Sequence, residues 1–79
     1  MNIEIITPEK EIFSGSASLI QLPGSDGLFE ILENHAPIVS TLKKGKVKLV
    51  SDGATFYFEI NGGIVEVLKN SVSVLAEEI

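Results

Sequence analysis

The chain has 79 residues, 44% of them hydrophobic, with a formal net charge of −5 and neither cysteine nor arginine. That length fits one domain, residues 1–79, and a core that hides only about 60% of the surface of the unfolded chain. The acidic balance speaks against nucleic acid, which needs clustered basic side chains, and the lack of cysteine removes disulfides and thiolate metal sites.

At the N-terminus, Ile3 and Ile5 alternate with Asn2 and Glu4, the pattern of a half-buried strand. No basic region precedes the apolar residues, so this is not read as a signal peptide. No apolar run nears the roughly 20 residues that span a bilayer. A soluble, cytoplasmic protein is expected, still free to touch a membrane complex. Ala17–Leu22 forms the next apolar run, ended by Pro23-Gly24 and Asp26-Gly27. Leu28, Ile31 and Leu32 fit a helical stripe, but Gly27 and Pro37 hem the run in and a strand is expected. Pro37 pushes Ala36 into an extended conformation, so the following loop leads into a strand. Lys46-Val47-Lys48-Leu49 alternates again, and Asp52-Gly53 is a strong hairpin signal.

Further on, Phe56, Phe58 and Ile60 share a face. Asn61-Gly62-Gly63 fits either a turn or a bulge that bends one long strand. Val65 and Val67 flank Glu66, Lys69-Asn70 is a weaker turn signal, and Val72 and Val74 alternate with Ser71 and Ser73. Val72, Leu75 and Ile79 would also make a helical stripe, but strand is the expectation here too. The sum is an all-β single-domain sandwich or flattened barrel of about nine to ten short strands. There is no linker, low-complexity tract or internal repeat. The apolar content exceeds what so small a core can hide, which suggests a surface patch made for a partner.

Chemistry-bearing motifs are few. His35, the only histidine, sits in Asn34-His35-Ala36-Pro37. A catalytic histidine needs an orienting carboxylate and a nucleophile, and Glu33 and Ser40 are the nearest candidates. One histidine among scattered carboxylates does not make a zinc site. A loop ring that satisfies backbone groups, or a docking role, is the expectation. Leu22–Gly27 lacks the Gly-Lys-Ser/Thr ending of a phosphate loop and reads as an exposed turn presenting Asp26. Lys43-Lys44-Gly45-Lys46 reads as a solvated turn whose lysines protect a strand edge. Lys69 admits a different reading, the modified lysine of a lipoyl- or biotinyl-type carrier domain, although Leu68 and Asn70 are poor neighbours for it.

The order of motifs is more specific than any one of them. It runs Ile12-Phe13-Ser14-Gly15, Pro23-Gly24-Ser25-Asp26-Gly27, Asn34-His35-Ala36-Pro37-Ile38, Leu42-Lys43-Lys44-Gly45, Gly62-Gly63-Ile64-Val65-Glu66-Val67 and Asn70-Ser71-Val72-Ser73-Val74-Leu75-Ala76. Over its whole length the chain resembles the N-terminal β-sandwich domain of the epsilon subunit of F-type rotary ATP synthase. The resemblance implies a non-catalytic central-stalk subunit without a cofactor or metal. It would be peripheral to the cytoplasmic face of the inner or plasma membrane and would couple rotation of the gamma subunit to the membrane c-ring in proton-driven ATP synthesis. By the same resemblance, Thr7, His35, Ala36, Val39 and Ser40 face gamma, and Ser25, Asp26 and Leu28 face the c-ring. Some relatives carry glutamate at the position of Leu28, leaving Asp26 and Glu30 to supply the charge here. Most also continue into a regulatory helical hairpin where this sequence stops at Ala76-Glu77-Glu78-Ile79. If the sequence is complete, coupling without hairpin-mediated inhibition is expected.

Overall fold

The computed structural model describes residues 1–77. Seven strands make up its regular structure: β1 (Asn2–Ile6), β2 (Glu11–Ser16), β3 (Leu19–Gly24), β4 (Gly27–Leu32), β5 (Ile38–Ser51), β6 (Ala54–Leu68) and β7 (Ser71–Ala76). They pair in the order β2-β1-β7-β6-β5-β3-β4. All neighbours are antiparallel except β1 and β7, which run parallel with Asn2 opposite Ser71 and Ile6 opposite Leu75.

The two long strands fold this sheet into a sandwich. β5 and β6 pair from Ile38↔Val67 to Ser51↔Ala54. Along β5 the buried positions change from Leu42 to Val47 and Leu49; along β6 they change from Ile60 to Val65 and Val67. A strand that strictly alternates cannot exchange its buried face without a local break. Gly62 and Gly63 make that break at φ 125° and 153°. A β-carbon on Gly63 would fall on the Leu75 carbonyl oxygen, so the close approach of β7 also requires glycine there. No residue is inserted, because Leu42↔Gly63 and Lys44↔Asn61 keep one register. Asn61-Gly62-Gly63 is therefore a bend inside a continuous strand, neither a turn nor a register-shifting bulge.

The bend divides the strands between two layers. The first holds β2, β1, β7, the second half of β6 and the start of β5. The other holds the rest of β5 and β6 with β3 and β4. Ile3, Ile5, Val65, Val67, Val72 and Val74 from one layer meet Ile20, Leu22, Ile31, Val47, Leu49 and Ile60 from the other, all fully buried. Phe13 closes one flank against Phe56 and Phe58, with ring centroids 6.2 and 6.1 Å away.

The class is the expected one, with fewer and longer strands. Alternating runs on either side of Gly45 and of Gly62-Gly63 belong to single strands. Lys43-Lys44-Gly45-Lys46, expected as a turn, lies inside β5, with Gly45 placed where a β-carbon would meet Pro23 at 2.8 Å. Both two-residue hairpins are real. Asp52 and Gly53 have φ 51° and 75°, and Lys69 and Asn70 have φ 49° and 63°, the left-handed pairs that match strand twist. Leu28, Ile31 and Leu32 lie on β4, and Val72 and Leu75 point to opposite sides of β7. Ile79, the third member of that second stripe, lies outside the described residues.

Candidate docking surface

The Asn34–Pro37 loop crosses from β4 in one layer to β5 in the other. Its backbone makes little regular pairing: the His35 amide donates to Leu32 O at 3.2 Å, and Pro37 has no amide to give. Side chains hold it instead. Asn70, on the β6–β7 turn, accepts from the Asn34 amide at 2.9 Å and donates to Glu33 Oε2 at 3.0 Å. Glu33 Oε1 accepts from the α-ammonium of Met1, which also donates to Ala17 O at 3.1 Å. Those bonds, the one from the N-terminal ammonium first, hold the Glu33 carboxyl below its ordinary value of 4.5.

His35 is half-buried, and its Nδ1 lies 2.7 Å from Ala36 O. The carbonyl can only accept, so Nδ1 carries a proton and donates it there. This is the backbone-satisfying role that the sequence suggests. Ala36 and Pro37 are exposed beside it.

An apolar face begins next to this loop. Val39 is 69% exposed and opposes Glu66; on the neighbouring row Ile64, Leu75 and Ile6 stand side by side across β6, β7 and β1. Ile64 and Leu75 are each about half exposed. Together with Glu4, Glu66 and Ser73 these residues line a shallow groove of about 270 Å³. Two carboxylates, Glu4 and Glu66, stand on the row beside the apolar one, separated by Ser73. Such a surface suits a partner that presents apolar side chains with basic groups at the margin.

The structure separates residues that the resemblance groups together. His35 and Ala36 lie at the Met1 end of the first layer, whereas Thr7 follows the far end of β1, a strand length away. Thr7 is also only 5% exposed, its hydroxyl bonded at 3.2 Å to both the amide and the carbonyl of Lys10. Val39 and Ser40 point to opposite sides of β5, because Val39 opposes exposed Glu66 and Ser40 opposes buried Val65. Ser25, Asp26 and Leu28 do come together at the β3–β4 tip. There the Ser25 amide donates to Thr41 O at 3.0 Å, its hydroxyl lies 2.8 Å from that of Thr41, and Leu28 is 68% exposed.

Sequence reasoning missed Ile6, Ile64 and Leu75 on the apolar face, and Glu33 and Asn70 beneath the loop. The signal for the first group was present. Ile64 precedes buried Val65, and Leu75 sits between buried Val74 and Ala76, so each interrupts an alternation that needs a polar residue there.

The fold and its surface define a class, a two-layer β domain with an exposed apolar flank. Within that class, the chain belongs to the ATP synthase delta/epsilon chain β-sandwich domain family, whose model matches residues 1–79. It is 39% identical over 77 residues to the ATP synthase epsilon chain of Caulobacter vibrioides, covering 98% of this chain and 90% of that one. The epsilon chain of Chlorobium limicola is 44% identical over 78 residues, covering 98% and 89%. The epsilon chain of Pelotomaculum thermopropionicum is longer: a 39% identical match covers 94% of this chain and 55% of that one. Among solved structures, the fold is shared with a chain of the Euglena gracilis mitochondrial ATP synthase (OSCP/F1/c-ring), at TM-score 0.90 and 19% identity, covering 96% of this chain and 49% of that one. It is also shared with a chain of the Tetrahymena thermophila mitochondrial ATP synthase central stalk/c-ring, at TM-score 0.84 and 19% identity, covering 98% and 63%. The family match accounts for the whole chain and takes the place of the carrier reading of Lys69, which lies exposed in the β6–β7 turn.

Proposed function

We propose that this domain is a non-catalytic central-stalk component of a rotary ATP synthase, linking the gamma subunit to the membrane c-ring so that ion-driven rotation is coupled to ATP synthesis. The observation that carries this reading is the exposed apolar face running from Val39 to Ile64, Leu75 and Ile6 in a chain of the epsilon family. Gamma covers that face and the His35-Ala36 loop at its margin. Ser40, on the other side of β5 from Val39, and Thr7, inside the fold at the far end, back that contact rather than forming it. The Ser25-Asp26 tip, with Leu28 and Glu30 behind it, faces the polar loops of the ring. There the acids orient the domain more than they tighten it. In such a complex the domain would lie peripherally, on the cytoplasmic side of the membrane.

Titration of the 79-residue chain with the gamma subunit of the same enzyme tests the reading. Binding at micromolar concentration or tighter is expected. No binding at that concentration overturns it.

A further inference from the structure

The two left-handed asparagines next to the docking loop suggest a role for a residue that does not itself face the partner. Asn70 occupies the second central position of the β6–β7 turn at φ 63°, where glycine, aspartate and asparagine all meet the backbone requirement. Its side chain does two things that the turn does not need. Oδ1 accepts the Asn34 amide at 2.9 Å and Nδ2 donates to Glu33 Oε2 at 3.0 Å, while its own carbonyl accepts the Asn2 amide at 3.0 Å. A side-chain amide accepts from a backbone N–H through its oxygen and donates to a carboxylate through its nitrogen at once. Glycine would do neither, and aspartate would set a second carboxylate against Glu33. Asn34, also left-handed at φ 62°, is the residue immediately before His35.

We propose that Asn70 is a positioning residue for the docking loop: by gripping Glu33 and the Asn34 amide it fixes the one loop shape that presents His35 and Ala36 to gamma. The inference rests on the docking role of that loop. Few backbone bonds hold the loop itself, so without Asn70 it samples other shapes, and binding must then recover the lost ordering.

The test is a binding cycle on the 79-residue chain with gamma, using Asn70→Gly, His35→Ala and the double variant. Glycine keeps the left-handed turn, so the melting temperature of Asn70→Gly stays near that of the parent. Its affinity for gamma falls about tenfold, the factor that corresponds to about 1.4 kcal/mol. In the His35→Ala background the same substitution costs less, because one of the two groups it positions is gone. Amide exchange at Asn34 and His35 quickens in the free Asn70→Gly domain. Should that variant fail to fold, Asn70→Asp carries the same test, since it keeps the turn and the acceptor but loses the donor.

Parental affinity in Asn70→Gly, or an equal loss with and without His35, overturns the proposal while leaving gamma docking in place. Failure of the parent chain to bind gamma removes the docking role and this inference with it.

Discussion

Glu33 shows how a surface carboxylate becomes a structural part. Its two oxygens hold the chain's N-terminal ammonium and the Asn70 amide, and both bonds lower its pKa. A carboxyl whose folded pKa is depressed adds stability that is complete above the unfolded value and is lost as pH falls through the folded one. Thermal melts should therefore show part of the stability disappearing as pH drops below the ordinary glutamate value of 4.5. Glu33→Gln should flatten that part of the acid limb while changing the neutral-pH melt less than a core substitution does. An unchanged acid limb would contradict the assignment. His35 is a different case. Its ring is tied to a neighbouring carbonyl and half-exposed, so His35→Ala should leave the fold intact and weaken binding to gamma. Melting and titration of the same sample separate the two effects.

At the scale of the element, the paired bend in β5 and β6 decides the architecture. Gly63 combines φ 153° with a position where a β-carbon would strike the Leu75 carbonyl. Gly63→Ala should cost about 1–3 kcal/mol or more, because strain and steric conflict coincide. A denaturant melt with unchanged slope and a lower midpoint would report it. By contrast, Val39→Asp alters an exposed position, so the isolated domain should melt within a few degrees of the parent. Loss of a buried interface anchor there should cost about 2 kcal/mol of gamma affinity, roughly thirtyfold.

The sandwich was legible in the sequence because its inward positions alternate cleanly at Ile3/Ile5, Val65/Val67 and Val72/Val74. The continuity of β5 and β6 was not. Their alternation changes phase in mid-strand, and local pattern cannot distinguish a bend from a stop. Of the candidate site, the family resemblance named Val39 and the His35 loop. Ile64 and Leu75 each break the alternation of their own strands, but their row with Ile6 exists only once three distant strands are set in register. The separation of Thr7 from His35 has the same origin. It follows from the parallel pairing of β1 with β7, which no local signal announces.

For the whole molecule, one closely packed core between two layers must supply nearly all the stability, with no disulfide to assist. Core truncations should therefore be severe. Leu49→Ala or Ile60→Ala should remove about 2–5 kcal/mol, a large share of the 5–15 kcal/mol typical of a domain. Each lost kilocalorie should lower the melting point by about 4–8 °C in a chain of this size. Surface anchors and core residues are thereby separable by experiment: the first change affinity and the second change melting.

The parallel seam between β1 and β7 governs when this fold can come into being. β7, the last of these seven strands in chain order, must slot between β1 and the β5–β6 ribbon. Until it arrives, the N-terminal hairpin and the long ribbon each present a raw edge with nothing to join them. Such a nascent chain has to wait, unsealed and prone to sticking, for β7 before the two sides can zip shut.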